Sequence, residues 1–197
     1  RGTLEEMPTP AANSHISPWD IPASTPARPA HVLVVGGGLA GCHAAAALAR
    51  RGVDVTLLEQ GALAAAGSAN DQGILYTRLS RRHSALVDFS LQSFQFASTF
   101  YQEMLQAGTL VAQLEGELCG SFQQSDNASD MAVLRETLVG LEELAQVLDA
   151  SRASDMLGID QPSAGYWYPR SGWLRPGAVC RNLVTHANIR VIENCGA

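Results

Sequence analysis

Between His31 and Gln60 the chain reads HVLVVGGGLAGCHAAAALARRGVDVTLLEQ, and no other stretch restricts its fold so strongly. An apolar run, Val32 to Val35, precedes the glycines, as expected of a parallel strand covered on both faces. After them comes an alanine-rich helix from Leu39 to about Arg51, closed by Gly52, and a second strand from Val53 to Glu59. The spacing Gly36-x-Gly38-x-x-Gly41 is the dinucleotide fingerprint. Gly36 permits the tight turn, Gly38 lets the backbone approach a pyrophosphate, and Gly41 lets helix and strand pack closely. The helix start offers free N–H groups and a positive dipole end to phosphates. Glu59, 18 residues after Gly41, ends the second strand where it can accept hydrogen bonds from ribose hydroxyls. Together these features predict a dinucleotide-binding βαβ unit within an α/β fold.

Six of the nine prolines fall before residue 30, among Ser, Thr and Ala. Residues 1–30 are therefore expected to be an extended linker trailing from a preceding domain, with Trp19 docked on a neighbour. Residues 31–197 form the domain, read as the first part of a longer one because the chain stops just after the strand-like NIRVIENC. Apolar content of 46% and no long apolar run suggest a soluble, cytoplasmic protein with no membrane span. The formal charge of −6 argues against a stand-alone nucleic-acid binder, although another part of a longer protein could grip such a substrate. All thirteen basic residues are Arg. Cys42, Cys119, Cys180 and Cys195 contain no C-x-x-C pair and read as buried small residues, and the five histidines show no metal-ligand spacing.

Further along, a helix is expected from about Ser84 to Gln106, with Leu86, Phe89, Phe96, Phe100 and Met104 on its apolar face. CGSFQQ reads as a strand, and SDNASDMAVLRETLVG as a helix capped by Asn or Ser. QVLDASRASDMLGI reads as a strand followed by a helix stopped at Gly158. GYWYPRSGWL reads as a strand or hairpin arm, RPGAVCRNLVTH as a helix with Pro176 in its first turn, and IRVIEN as a strand.

The glycine fingerprint alone does not separate FAD from NAD. After Glu59 the chain enters a small, polar, Gly-containing loop, AAGSANDQGILYTRLSRRH, where an NAD domain would continue into another helix and strand; this favours FAD. VVGGGLAG, Glu59, GSANDQGILYTRLS and GYWYPRSGWLRPGAVCRNLV together resemble a known family over residues 31–197. This is the FAD-dependent oxidoreductase half of the bacterial bifunctional tRNA 5-methylaminomethyl-2-thiouridine biosynthesis proteins, in the glycine oxidase and D-amino-acid oxidase superfamily.

The resemblance implies an FAD-binding Rossmann-like domain with the start of an α+β substrate domain, incomplete in this chain. It also implies a methyltransferase domain, using S-adenosylmethionine, before the linker. The implied reaction removes the carboxymethyl group from 5-carboxymethylaminomethyl-2-thiouridine at the tRNA wobble position. Hydride leaves the carbon between nitrogen and carboxylate for the flavin, and the imine hydrolyses to the amine and glyoxylate. Ser68, Asn70, Gln72 and Gly73 would line the flavin or its pyrophosphate, by the same resemblance.

Arg78, Arg81, Arg82 and His83 form the one basic cluster. Arginine at a helix start is electrostatically disfavoured, which suggests an anionic partner there, either substrate carboxylate or tRNA phosphate. Arg78, Arg82 and Arg175 are the substrate candidates, with Arg170 behind them. Tyr166 and Tyr168 alternate with Trp167 and read as sheet core, with Trp173 nearby; one of these aromatics facing the flavin could stack on a flipped-out base. No catalytic base stands out. A free glycine or amino-acid oxidase, or a non-catalytic dinucleotide-binding module, are the alternative readings.

Overall fold

The computed structural model describes residues 29–82 and 84–196. The Pro-rich stretch with Trp19, and His83, lie outside them. In chain order the elements are β1 (His31–Val35), α1 (Leu39–Ala49), β2 (Asp54–Leu58), β3 (Gly73–Leu75), α2 (Ala85–Gln106), β4 (Gly116–Glu117) and β5 (Ser121–Gln124). They continue with α3 (Ala128–Thr137), β6 (Gln146–Leu148), α4 (Ala150–Leu157), β7 (Gly165–Tyr168), β8 (Gly172–Leu174), α5 (Pro176–Leu183) and β9 (Ile189–Ile192). The architecture is mixed α/β, as expected.

Three small sheets divide the labour. β1, β2 and β9 form a parallel sheet with β2 in the middle, Val55 pairing with both Val32 and Ile189. The small residues of α1 explain its seat on this sheet. Cys42, Ala45, Ala46 and Ala49 are buried and admit α5 close by, with Ala178, Val179 and Cys180 buried in the same core. The other two sheets are antiparallel, in the orders β3-β8-β4 and β5-β7-β6. A second core, around Phe94, Leu134, Val147, Tyr166 and Tyr168, joins α2 and α3 to the latter.

Caps account for most helix boundaries. Ser84 accepts from the Val87 N–H at 3.3 Å, Asn127 from Asp130 at 3.0 Å and Asp149 from Arg152 at 2.8 Å. Gly158 ends α4 in the left-handed conformation at φ +70°.

Three sequence expectations change. Of the expected apolar face of α2, Met104 is buried and Phe100 packs against the first core, but Leu86, Phe89 and Phe96 are exposed, because the helix also turns Phe94, Ser98 and Tyr101 inward. β1 is not covered on both faces: Leu33 and Val35 are 61% and 83% exposed, since α1 packs on one side only among the described residues. GYWYPRSGWL, read as one strand or hairpin arm, forms two strands, β7 and β8. The turn at 169–171 sends them into separate sheets, and buried Ser171 ties those sheets together. Its hydroxyl accepts from Ser121 at 2.6 Å and donates to the Leu75 carbonyl.

Candidate functional site

The C-terminal ends of three parallel strands, where ligands bind in open α/β sheets, carry the glycine turn. Each fingerprint glycine answers to a different constraint. Gly36 lies at φ +102° with nothing within 4 Å of an added Cβ, so backbone conformation alone demands glycine. At Gly41 a Cβ would stand 1.8 Å from the Gly36 carbonyl oxygen, the close helix-to-strand contact the spacing predicts. Gly38 is the extended N-cap of α1 and brings no capping side chain of its own. Instead the Ser68 hydroxyl crosses over, accepting from the Leu39 N–H at 3.0 Å and lying 3.0 Å from a Gly38 Cβ. An oxygen is thus already seated where the helix start would receive an anion.

Gly37 is not singled out by the spacing, yet it is buried, and a Cβ there would meet Leu63 at 2.9 Å and a Glu59 oxygen at 3.0 Å. Its smallness admits the acid. The Glu59 carboxylate accepts from the Gly37 N–H at 2.5 Å through one oxygen and from the Gly61 N–H at 3.0 Å through the other. The Gly61 and Gly37 N–H groups, assisted by that of Gln60, hold the Glu59 carboxyl below the usual carboxylate range. A carboxylate has about four acceptor sites, so this ionised group retains capacity for ribose hydroxyls. Glu193, just past β9, accepts from the Leu63 N–H at 2.5 Å and secures the neighbouring loop, a role that no local sequence pattern signals.

Beyond the turn, Gly73 opens β3, and a Cβ added there would stand 3.3 Å from the Pro176 ring. With Leu39, Leu75, Tyr101 and Leu174 these residues line an apolar hollow of about 120 Å³ beside the helix start. Asn70 and Gln72 are exposed on the approach.

The arginines separate. Arg78 is exposed and lines two cavities, one of about 540 Å³ with Tyr76, Leu86 and Ser90, and one of about 240 Å³ with Gln123, Asp130 and Tyr168. Arg81 pairs with Asp130 at 2.6 Å, tying the loop to α3. Arg82 is exposed in the same loop, its N–H donating to Ser80 at 3.1 Å. Arg175 is the exposed N-cap of α5, and Arg170 donates to Thr99 on α2 at 2.7 Å; neither lines a cavity with Arg78. In the chain the cluster precedes α2, whereas Arg175 caps α5.

Tyr166 and Tyr168 are sheet core, 7% and 1% exposed, so neither offers a face to a base. Burial pushes the Tyr168 phenol up to about 12. Half-buried Trp167 lies on Gly120, where a Cβ would stand 2.2 Å from the indole, and half-buried Trp173 pairs across β8 with Ile74 and Glu117. Cys42 and Cys180 are buried as expected, but Cys119 is exposed. Among the described residues no cluster of potential metal ligands occurs, and no helix is long and apolar enough to cross a membrane.

Residues 31–197 match the family of FAD dependent oxidoreductases. The chain belongs to that family. FAD is accordingly its cofactor. Among curated relatives, the chain is 38% identical over 186 residues to a tRNA 5-methylaminomethyl-2-thiouridine biosynthesis bifunctional protein MnmC of Legionella pneumophila. That alignment takes in 91% of this chain and 27% of the relative. The protein of the same name from Nitrosospira multiformis is 39% identical over 167 residues, 84% of this chain and 27% of its own length. The chain thus spans little more than a quarter of these relatives. In fold it is similar to glycine oxidase from Geobacillus kaustophilus, with a TM-score of 0.64 and 20% identity over 84% of this chain and 46% of the oxidase. L-amino acid deaminase from Proteus vulgaris gives a TM-score of 0.66 at 16% identity, over 88% and 42% of the two chains.

Proposed function

We propose that the chain is the first part of the FAD-dependent oxidoreductase portion of a tRNA-modifying enzyme. On this reading it acts in the oxidative removal of the carboxymethyl group from 5-carboxymethylaminomethyl-2-thiouridine in tRNA. The carrying observation is the 38–39% identity, across 84–91% of the chain, to proteins named for that pathway. Residues 1–30 are then the linker from a preceding S-adenosylmethionine-dependent methyltransferase domain, and residues 31–197 the start of the oxidoreductase, working in the cytoplasm. The fold likeness to glycine oxidase favours one alternative, oxidation of a free amino acid.

When bound, FAD supplies the electron sink for a carbon lying between nitrogen and carboxylate. Gly36, Gly38 and Gly41 bring the pyrophosphate against backbone N–H groups at the start of α1. Glu59, kept ionised by two backbone donors, takes the ribose hydroxyls. Ser68 and Gly73, with Asn70 and Gln72 on the approach, line the cofactor along the 67–73 segment. Arg78 and Arg82 orient the substrate carboxylate; Arg175, which lines neither of the cavities that Arg78 lines, is the weaker candidate. With the segment's charge of −6, most of the grip on tRNA comes from elsewhere in the longer protein, and glyoxylate is the small product.

The test uses the full-length protein containing this segment. Glyoxylate release from tRNA carrying the carboxymethylaminomethyl base is compared with release from free glycine. Release from the tRNA and little from glycine is the expected result; equal efficiency on glycine replaces this reading with the amino-acid oxidase. Gly38→Val should strip the flavin absorbance, and a variant as yellow as its parent would move the phosphates elsewhere.

A further inference from the structure

We propose that the cavity between segment 76–80 and the first turns of α2 seats an unpaired RNA nucleobase, with Tyr76 as its stacking surface. This rests on the RNA reading above and deepens it by naming where the base goes. The cavity measures about 540 Å³, inside the roughly 300–1,000 Å³ usual for small-molecule sites. Its walls combine two chemistries. Tyr76 and Leu86 both line it and stand 53% and 76% exposed, an aromatic and an aliphatic surface open to solvent. Ser80 and Ser90 add hydroxyl-bearing residues to the lining.

A nucleobase has the same division: an apolar π-face and a hydrogen-bonding rim. The wall is also fixed before any ligand arrives. Thr77 is 1% exposed and its hydroxyl is bonded to that of Ser90 at 2.9 Å, which clamps the segment to α2 and holds Tyr76 outward.

Charge points the same way. In a chain of net charge −6, three arginines fall within residues 78–82, and one of them, Arg78, lines this cavity. Arg81 is engaged by Asp130, whereas Arg78 lines the cavity and Arg82 is exposed further along the same loop. An aromatic shelf beside a guanidinium suits a base that carries an anionic substituent: the ring stacks on Tyr76 and the carboxylate meets Arg78. Tyr166 and Tyr168, the more conspicuous tyrosines in the sequence, cannot serve because they are core.

The experiment uses the full-length protein and an anticodon stem-loop with 2-aminopurine at the wobble position, whose fluorescence is quenched on stacking. Wild type and Tyr76→Phe should quench it. Tyr76→Ala should lose the quench and bind about tenfold more weakly, the typical contribution of one base–aromatic stack. Tyr76→Leu keeps an apolar side chain, covers the case in which the alanine variant fails to fold, and should also lose the quench. Glyoxylate release from the natural modified stem-loop is measured in parallel. If wild type releases glyoxylate but Tyr76→Leu quenches and binds like wild type, the seat is overturned while the proposed reaction stands. Quenching through Tyr76 without glyoxylate release would retain the seat and remove the reaction. Neither signal in wild type removes both.

Discussion

The glycine turn and the 76–82 segment both precede helices, yet they prepare for their partners in opposite ways. At the turn the chemistry is almost wholly backbone. A positive φ at Gly36, a missing Cβ at Gly41 and two N–H groups on Glu59 shape it, and few side chains reach out. Along 76–82 the backbone is unremarkable and the side chains do the presenting: Tyr76 outward, Thr77 clamped inward, Arg78 at the rim, Arg81 tied down. A backbone site tolerates almost no substitution at its fixed points, whereas a side-chain site should be tunable residue by residue.

The sharpest attempt to break that contrast is Gly41→Val. With a Cβ 1.8 Å from the Gly36 oxygen, α1 must lift off β1, and the expected loss exceeds about 4 kcal/mol, seen as insoluble or flavin-free full-length protein. Gly36→Ala meets open space and only the φ cost, of about 1–3 kcal/mol. Equal tolerance of both changes in a denaturant melt would refute the division of roles between the two glycines.

Next in size is Ser171→Ala, outside both regions. It removes the hydroxyl that joins the β3-β8-β4 and β5-β7-β6 sheets and leaves the Leu75 carbonyl short of a donor, at a cost of about 2 kcal/mol in urea unfolding. Arg78→Ala should then lower kcat/KM for glyoxylate release from tRNA about tenfold, with a smaller change in tRNA affinity, because lost orientation acts on the barrier. Arg175→Ala serves as the comparison and should leave both nearly unchanged. A larger effect at Arg175 would move the substrate to the start of α5.

The smallest expected effect is a pH response at the back of the turn. His43 on α1 shares a hydrogen bond of 2.9 Å with the Tyr101 hydroxyl on α2, and burial, then the Arg50 charge, hold its imidazole below the ordinary histidine pKa. The unfolded chain therefore takes up the proton first. Stability is fully present above the ordinary value near 6.5 and declines as pH falls from there through the lowered folded value. Melting temperature should drop across that window, and His43→Gln should flatten the drop.

Legibility in the sequence divides along the same line. Strand, turn, helix and acid are local in sequence, so the spacing of Gly36, Gly38, Gly41 and Glu59 carries the fold and the cofactor class. Caps at Ser84, Asn127 and Asp149 are likewise local signals. The buried face of α2 is not legible, because Phe and Leu outnumber the Ser98 side and only the position of the other elements decides which side turns inward. Nor is the cavity beside Tyr76, since Leu86 and Ser90 belong to a helix and Tyr76 to a loop, and their meeting is tertiary. Gly37 is an intermediate case: its place between two fingerprint glycines marks it once the carboxylate's need for room is considered.

The position of β9 has a consequence in time. It pairs with β2 although Ile189 follows Val55 by 134 residues, so everything from the 67–73 segment to α5 is made between two neighbouring strands of one sheet. At about 5–20 residues per second of synthesis, the β1-β2 pair waits roughly 7–27 s on the ribosome for its third strand. Throughout that wait the outer edge of β2 is unpaired, and the antiparallel sheets have every opportunity to form first. Among the described elements, this parallel sheet is therefore the first to be encoded and the last to receive its final strand.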